Sequence, residues 1–341
     1  MKTCSIVILN FFLLVSGLLA QQQVSKEYKV VKSIPVSGNG SWDNLALDYR
    51  SQRLFVTHGD CVQVIDINTG KQMGIINHVP EAHCITFARE FSKGFISAGK
   101  IDSVIVFDMD DYRITDRIPT GKDPDAILFD QFSEKVFVFN AKGNSATVID
   151  AETDEIKSTI GLRGSPSFAL TDVSGNIYVN LKNLGLVAMI DANELQVKSI
   201  LPIGPDKQPT GMALDKGDDI LFCGCSGTNE LVVLDRFSGV TVTTIPIGMH
   251  CEGVGYIPAL NEILTSNGEG TVTVIHQDTP DKYRKVQTLV TKRGARTLVC
   301  NYPQQSIYLP SAEFNDVKKD YDPDSFQILV VSREKGDKGT K

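Results

Sequence analysis

Residues 118–150 read IPTGKDPDAILFDQFSEKVFVFNAKGNSATVID, and this stretch decides the fold. With the residues just after it, it holds four short runs rich in Val, Ile, Phe and Thr, at 126–129, 135–139, 146–149 and 155–160. Gly, Asp, Asn and Pro separate the runs and none has a helical period, so each predicts a short antiparallel strand. The second run is apolar at nearly every position instead of alternating, which requires a sheet covered on both faces.

The same sentence recurs along the chain. Aligned on the aspartate that closes each V-x-V-I-D run, the copies fall at Asp66, Asp108, Asp150, Asp191 and Asp235, with His276 in the sixth, at intervals of 42, 42, 41, 44 and 41 residues. A second landmark, the apolar run of type LFV, starts at Leu54, Phe95, Val136, Ile177, Leu221, Ile263 and Ile307, which makes seven copies. A period near 42 with four strands per copy predicts an all-β, seven-bladed β-propeller with four antiparallel strands in each blade. Closure of the ring is also written in the chain. A lone strand at 28–34 precedes the first full copy, while the seventh copy supplies only three, at 295–300, 306–309 and 326–331. The N-terminal strand is therefore expected to complete the last blade as its outermost strand, which removes the exposed edges of an open array.

Residues 1–20 stand apart. One lysine, Lys2, precedes an apolar run ending in small residues at Ala20, with no basic stop-transfer flank, and this pattern predicts a cleaved signal peptide and export to the periplasm or the extracellular space. Cys4 lies inside the run, so no lipoprotein anchor is read, and no other run is long enough to span a bilayer. Residues 21–333 form one propeller domain and 334–341 a polar tail. The formal net charge of -7 becomes -8 without Lys2, and at a pI near 5.3 there is no global basic field, so nucleic acid is not an expected partner. The mature chain is expected to be a monomer. Its six cysteines are irregularly spaced and form no disulfide scaffold; a bridge from Cys225 to Cys251 and plain burial both remain open.

Strand direction alone sorts residues by face. The residue opening each innermost strand is Asp43, His83, Asp125, Ser167, Thr210, Glu252 and Arg296 in blades one to seven; the residue just beyond each second strand includes His58, Asn140, Cys225 and Asn267. Both sets ring one mouth of the central channel, a concave polar place where propellers commonly bind. Trp42 suits either a stacking wall or packing between blades. His58, His83, His250, Asp125 and Glu252 are metal-ligand types on that mouth, but their blades are spread around the ring, so most are expected too far apart to share an ion and no metal site is assigned. Asp320, Asp322 and Asp324 imitate the opening of an EF-hand loop without its glycine or closing glutamate, which excludes that reading. The repeated aspartates, on the opposite face, read as turn residues that accept backbone N–H bonds. No nucleophile elbow, phosphate loop or haem-attachment motif is present in the sequence. The long connection 311–325 in blade seven is either a lid over the mouth or a disordered surface loop.

The motifs KDPDAI (122–127), PTGMALD (209–215), TSNGEGTVTVI (265–275), GARTL (294–298) and YLPSAEF (308–314) resemble those of exported YVTN-type β-propellers, the YncE-like family, over essentially the whole mature chain. Carried over, the resemblance marks Asp125, Thr210, Asn267, Gly268, Arg296 and Thr297. Ser167 and Glu252 depart from it, standing where a glutamate and an aspartate are usual. It implies the fold more sharply than an activity. The expectation is a non-enzymatic exported propeller that binds a small molecule or a protein segment at a mouth lined by His83, Asp125, Asn140, Thr210, Glu252, Asn267 and Arg296. There Arg296 would take an anionic group and the carboxylates amines or hydroxyls. The alternative is a metal-dependent, lactonase-like hydrolase. No cofactor is identified.

Overall fold

The structure, a computed structural model, describes residues 27–38 and 40–333. The expected signal peptide at 1–20 and the tail at 334–341 lie outside the described residues. Those described form seven four-stranded antiparallel sheets in a ring, plus a two-stranded hairpin. Blade three, Pro124–Asp130, Lys135–Asn140, Ser145–Asp150 and Ile156–Gly161, follows the four runs read from the sequence to within two residues at each end. Its second strand is buried at five of six positions. Val136, Phe137, Val138 and Phe139 are all at 0% exposure because a blade lies against either face of the sheet.

Closure occurs as the strand count requires. Tyr28–Pro35 pairs antiparallel with Gln327–Arg333 at the outer edge of blade seven. The seam is clasped by a buried polar group: the Tyr28 hydroxyl donates to Glu262 Oε2 of blade six at 2.9 Å, and Arg333 pairs with the same carboxylate. Gln287 exchanges two 2.8 Å bonds with the Tyr28 backbone, so the first strand of the chain is tied to the sixth blade as well as to the seventh.

One strand is shorter than expected. The first strand of blade seven is only Val299–Asn301, because residues 295–298 leave the ladder and turn towards the neighbouring blades. The Arg296 carbonyl accepts from the Glu252 N–H at 3.2 Å, and Thr297 Oγ1 donates to the Asp43 carbonyl at 2.6 Å. Between blades, serine hydroxyls repeat this tie, as Ser167 Oγ does to the Pro209 carbonyl (2.9 Å) and Ser266 Oγ to the Arg296 carbonyl (2.7 Å). Among the described residues the six cysteines are unbridged, Cys225 and Cys251 included, and no helix is long and apolar enough to cross a membrane.

Candidate functional site

Each first strand in blades one to six begins with one ladder pair and then slips register. Trp42 faces His58, Ala82 faces Ala98, Pro124 faces Asn140, Pro166 faces Leu181, Pro209 faces Cys225 and Cys251 faces Asn267, and in each the next residue sits in a bulge. A bulge frees the extra residue from the ladder and re-aims its side chain. The bulged positions are Asp43, His83, Asp125, Ser167, Thr210 and Glu252, the residues that the strand direction places around the channel. Hydroxyls of the second strand satisfy the backbone so exposed: Asp43 N–H donates to Thr57 Oγ1 at 3.1 Å, and Cys84 N–H to Ser97 Oγ at 3.0 Å.

These side chains converge. A cavity of about 180 Å³ at the channel mouth is lined by Asp43, Asp125, Thr210, Glu252, Arg296 and, from the turn after the second strand of blade four, Lys182. Asp43, His83 and Asp125 bring potential ligand atoms within 4.8 Å of one another. Two of the five metal-ligand residues named from sequence, His83 and Asp125, therefore meet here together with Asp43, because the innermost strands of blades one, two and three approach a narrow axis; Glu252 stands outside the group. His58 and His250 do not belong to that group.

His83 is the electrostatic centre of the cluster. Its Nδ1 lies 2.9 Å from Asp43 Oδ2, and its Nε2 packs over Gly99 towards Asp123, where a Cβ on that glycine would lie 2.6 Å from Nε2. A second group, Glu81, His83 and Asp123, gathers on that side. Burial alone would lower the imidazole pKa, but the Asp43 hydrogen bond and the charges of Asp125, Asp43 and Glu81 outweigh it and raise it to about 9. Asp125 moves the other way from an ordinary carboxylate: burial first, then the Asp43 charge, push it up to about 7 against the opposing pull of His83. At neutral pH the mouth therefore holds an imidazolium against Asp43, with Asp125 divided between its charged and neutral forms. The buried Cys84 thiol close by is pushed up to about 12 by desolvation, so it carries no thiolate at that pH.

Arg296 is placed at the mouth but is already engaged. Its Nε donates to Glu252 Oε2, its terminal nitrogen donates to the Trp42 carbonyl at 2.9 Å, and Asp43 Oδ1 is 4.0 Å away. It braces blades six, seven and one where an open anion receptor was expected. Thr210 is also at the mouth, 6% exposed, with its hydroxyl donated to the Cys251 carbonyl. Asn140 and Asn267 are not brought to the mouth. Both are fully buried at the ends of their second strands, and each amide bonds two hydroxyls of its own third strand or the turn before it, Ser145 and Thr147 for Asn140 and Thr271 and Thr273 for Asn267. The last residue of a second strand lies on the right face of the blade but points into the sheet stack, which face alone does not reveal. Asp43, left outside the seven site residues named from sequence, proves central, and its register equivalence to His83 and Asp125 was the available signal. Lys182 had none, since it sits in a turn that the repeat does not constrain.

The long connection of blade seven is ordered. It folds as a hairpin, Phe314–Asn315 against Asp320–Tyr321, and is anchored by a Lys292–Glu313 ion pair and by Arg293 stacked 3.9 Å from the Phe314 ring. Tyr321 meets the Trp42 ring edge-on at 4.7 Å, and its hydroxyl packs on Gly294, where φ is +84° and a Cβ would lie 2.3 Å from that oxygen. The hairpin thus covers the seam between blades seven and one. Beneath it is a second cavity of about 500 Å³, and Arg296 borders both cavities.

No protein-family model matches the chain, and no curated protein matches it. Solved structures do. A chain of hydrazine synthase from Kuenenia stuttgartiensis is similar with a TM-score of 0.72 at 14% identity, covering 89% of this chain and 98% of that one. The WD40 repeats of RRP9 give 0.73 at 8% identity over 88% and 97%, and a chain of the mitotic checkpoint complex 0.75 at 11% over 97% and 99%. At such identities the likeness establishes the seven-bladed WD40-like propeller fold and no activity.

Proposed function

We propose that the chain is an exported, non-enzymatic β-propeller of the YVTN type that binds a small polar molecule at the channel mouth, through amine or hydroxyl groups presented to Asp43, Asp125 and Glu252. The observation that carries this reading is the convergence of three carboxylates on one cavity whose arginine is already paired within the protein. Carboxylates accept hydrogen bonds, so Asp43, Asp125 and Glu252 suit hydroxyl and amine donors, with Arg296 and Lys182 balancing their charge in the same lining. At about 180 Å³ the cavity is smaller than the roughly 300–1,000 Å³ of drug-sized sites, which favours a small molecule over a protein segment. The apolar N-terminal run and the YVTN-like motifs support export and membership of that family. The test is a thermal-shift screen of polyols, amino sugars and amines against matched carboxylates. A binder raises the melting temperature, and Asp125→Asn and Glu252→Gln should remove the response. If both variants bind an identified ligand as tightly as the parent, the reading fails.

A second reading, a metal-dependent lactonase-like hydrolase, draws on Asp43, His83 and Asp125 as a three-ligand set, two of which line the cavity at the mouth. Against it stands the proton on His83, which a cation must displace before the imidazole can ligate. Metal analysis of chelator-free protein separates the two. Less than about a tenth of an equivalent, together with no lactone or ester turnover, removes the hydrolase.

A further inference from the structure

The cavity beneath the blade-seven hairpin differs in chemistry from the channel mouth. Aromatic rings form its walls: Trp42, 5% exposed, Phe326, Tyr321 and the imidazole of His58. Phe326 lies 5.3 Å from Trp42 and 4.2 Å from His58, both in tilted stacks, so the wall is one packed aromatic cluster. His58 is buried and accepts from Gln63 at Nδ1 (3.0 Å), leaving Nε2 with only a loose approach to the Gly40 carbonyl and no well-formed hydrogen bond. Burial lowers its pKa, so it stands in the wall as a neutral ring.

The outer side of the cavity is acidic. Asp320, Asp322 and Asp324 border it; Asp320 and Asp324 are exposed, and Asp322 is partly neutralised by Lys318 at 3.1 Å. Arg296, the cation among the lining residues, is held by Glu252 and the Trp42 carbonyl. Ring faces attract both flat π-systems and cations, and carboxylates at the opening add to the attraction for positive charge. A volume of about 500 Å³ lies within the range of small-molecule sites, roughly 300–1,000 Å³.

We infer that this cavity is a second binding site, built for a planar aromatic group that carries an amine. It stands on residues other than the carboxylates of the mouth and does not depend on that reading. The ring lies against the aromatic wall of Trp42, Phe326 and Tyr321, and the ammonium lies at the carboxylate edge beside Asp320.

Trp42 is the only tryptophan of the chain, so its emission reports this cavity directly. The experiment titrates the full chain with phenethylamine and, in parallel, with phenylacetate, which has the same ring and the opposite charge. The expected result is a saturable change in Trp42 emission with phenethylamine and at least about tenfold weaker binding of phenylacetate. Asp320→Asn, a change at an exposed position of the hairpin, should weaken the amine severalfold and leave phenylacetate unchanged. Tyr321→Ala should weaken both, and Asp125→Asn at the mouth should alter neither. Equal affinity for amine and acid, no saturable change with either, or a response abolished by Asp125→Asn and untouched by Tyr321→Ala would overturn the assignment. That last outcome would hand the amine to the channel mouth.

Discussion

The two faces of the ring use carboxylates in opposite ways. On the face away from the mouth, Asp66, Asp108, Asp150, Asp191 and Asp235 close their third strands and accept N–H groups from the following turn, as Asp66 does from Asn68 (3.0 Å) and Thr69 (2.7 Å). Those backbone bonds hold the pKa of each below the usual value. At the mouth Asp125 is pushed up, because its neighbours are other carboxylates and buried surface. Repetition accompanies charge satisfied within one turn, and variation accompanies groups that meet across blades, as His83 meets Asp43 and Arg296 meets Glu252. Five copies keep one residue where it completes a turn, whereas the mouth carries Asp, His, Asp, Ser, Thr and Glu at one register position and spends stability to hold them together.

The largest effect that would sharpen this contrast lies in the scaffold. Glu262→Ala strips the closing clasp of its carboxylate and leaves Arg333 and the Tyr28 hydroxyl without their shared partner, an expected loss of about 3–5 kcal/mol in urea unfolding. Ligand affinity at the mouth should be unchanged under native conditions. A loss much under about 1 kcal/mol would show that closure does not rest on this group.

Next is the pH dependence, where the two faces should pull in opposite directions. The turn aspartates have folded pKa values below 3.8, so their contribution is present above that value and is lost as pH falls through the depressed ones. His83, raised from 6.5 to about 9, contributes fully below pH 6.5 and loses that contribution as pH rises through 9. Asp125, raised from 3.8 to about 7, lowers stability progressively over that interval. Melting temperature should therefore fall in acid and fall again from neutrality to pH 9, and His83→Gln should flatten only the alkaline limb. An alkaline limb unchanged in that variant would break the comparison.

A smaller effect is expected from Asp150→Ala, about 1 kcal/mol from the lost turn bonds to Thr153, with no change in binding. Smallest is Asp125→Asn, which should raise the melting temperature slightly at pH 8, by removing a charge that burial disfavours, while abolishing ligand binding at the mouth. A destabilised Asp125→Asn would mean that its attraction to His83 outweighs its desolvation.

Much of this molecule was legible in its sequence. The blade count, the four strands of blade three and the N-terminal strand that closes the ring follow from period and strand count, because every blade must bury both faces of its sheet against its neighbours. Of the candidate site, His83, Asp125, Glu252 and Arg296 were placed at the mouth by strand direction alone. Asn140 and Asn267 were misplaced, since direction gives the end of a strand and not whether a side chain points to the axis or into the stack. Arg296 was read as a receptor for anions, but only the fold shows Glu252 and the Trp42 carbonyl already on its guanidinium. The connection 311–325 was left open between lid and loose loop, and the packing of Tyr321 on Gly294 and Trp42 decided it as an ordered cover of the blade seam.

By itself, then, the sequence determined the architecture, because a repeat of about 42 residues states one local rule seven times and local rules are what composition and spacing record. The tertiary structure alone decided which side chains meet. Asp43, His83 and Asp125 are separated by about forty residues each and become neighbours only when the bulged ends of three strands reach a common axis. The aromatic cavity likewise requires blade one, blade seven and the hairpin to be assembled, since its walls come from both ends of the chain and exist only once the ring has closed.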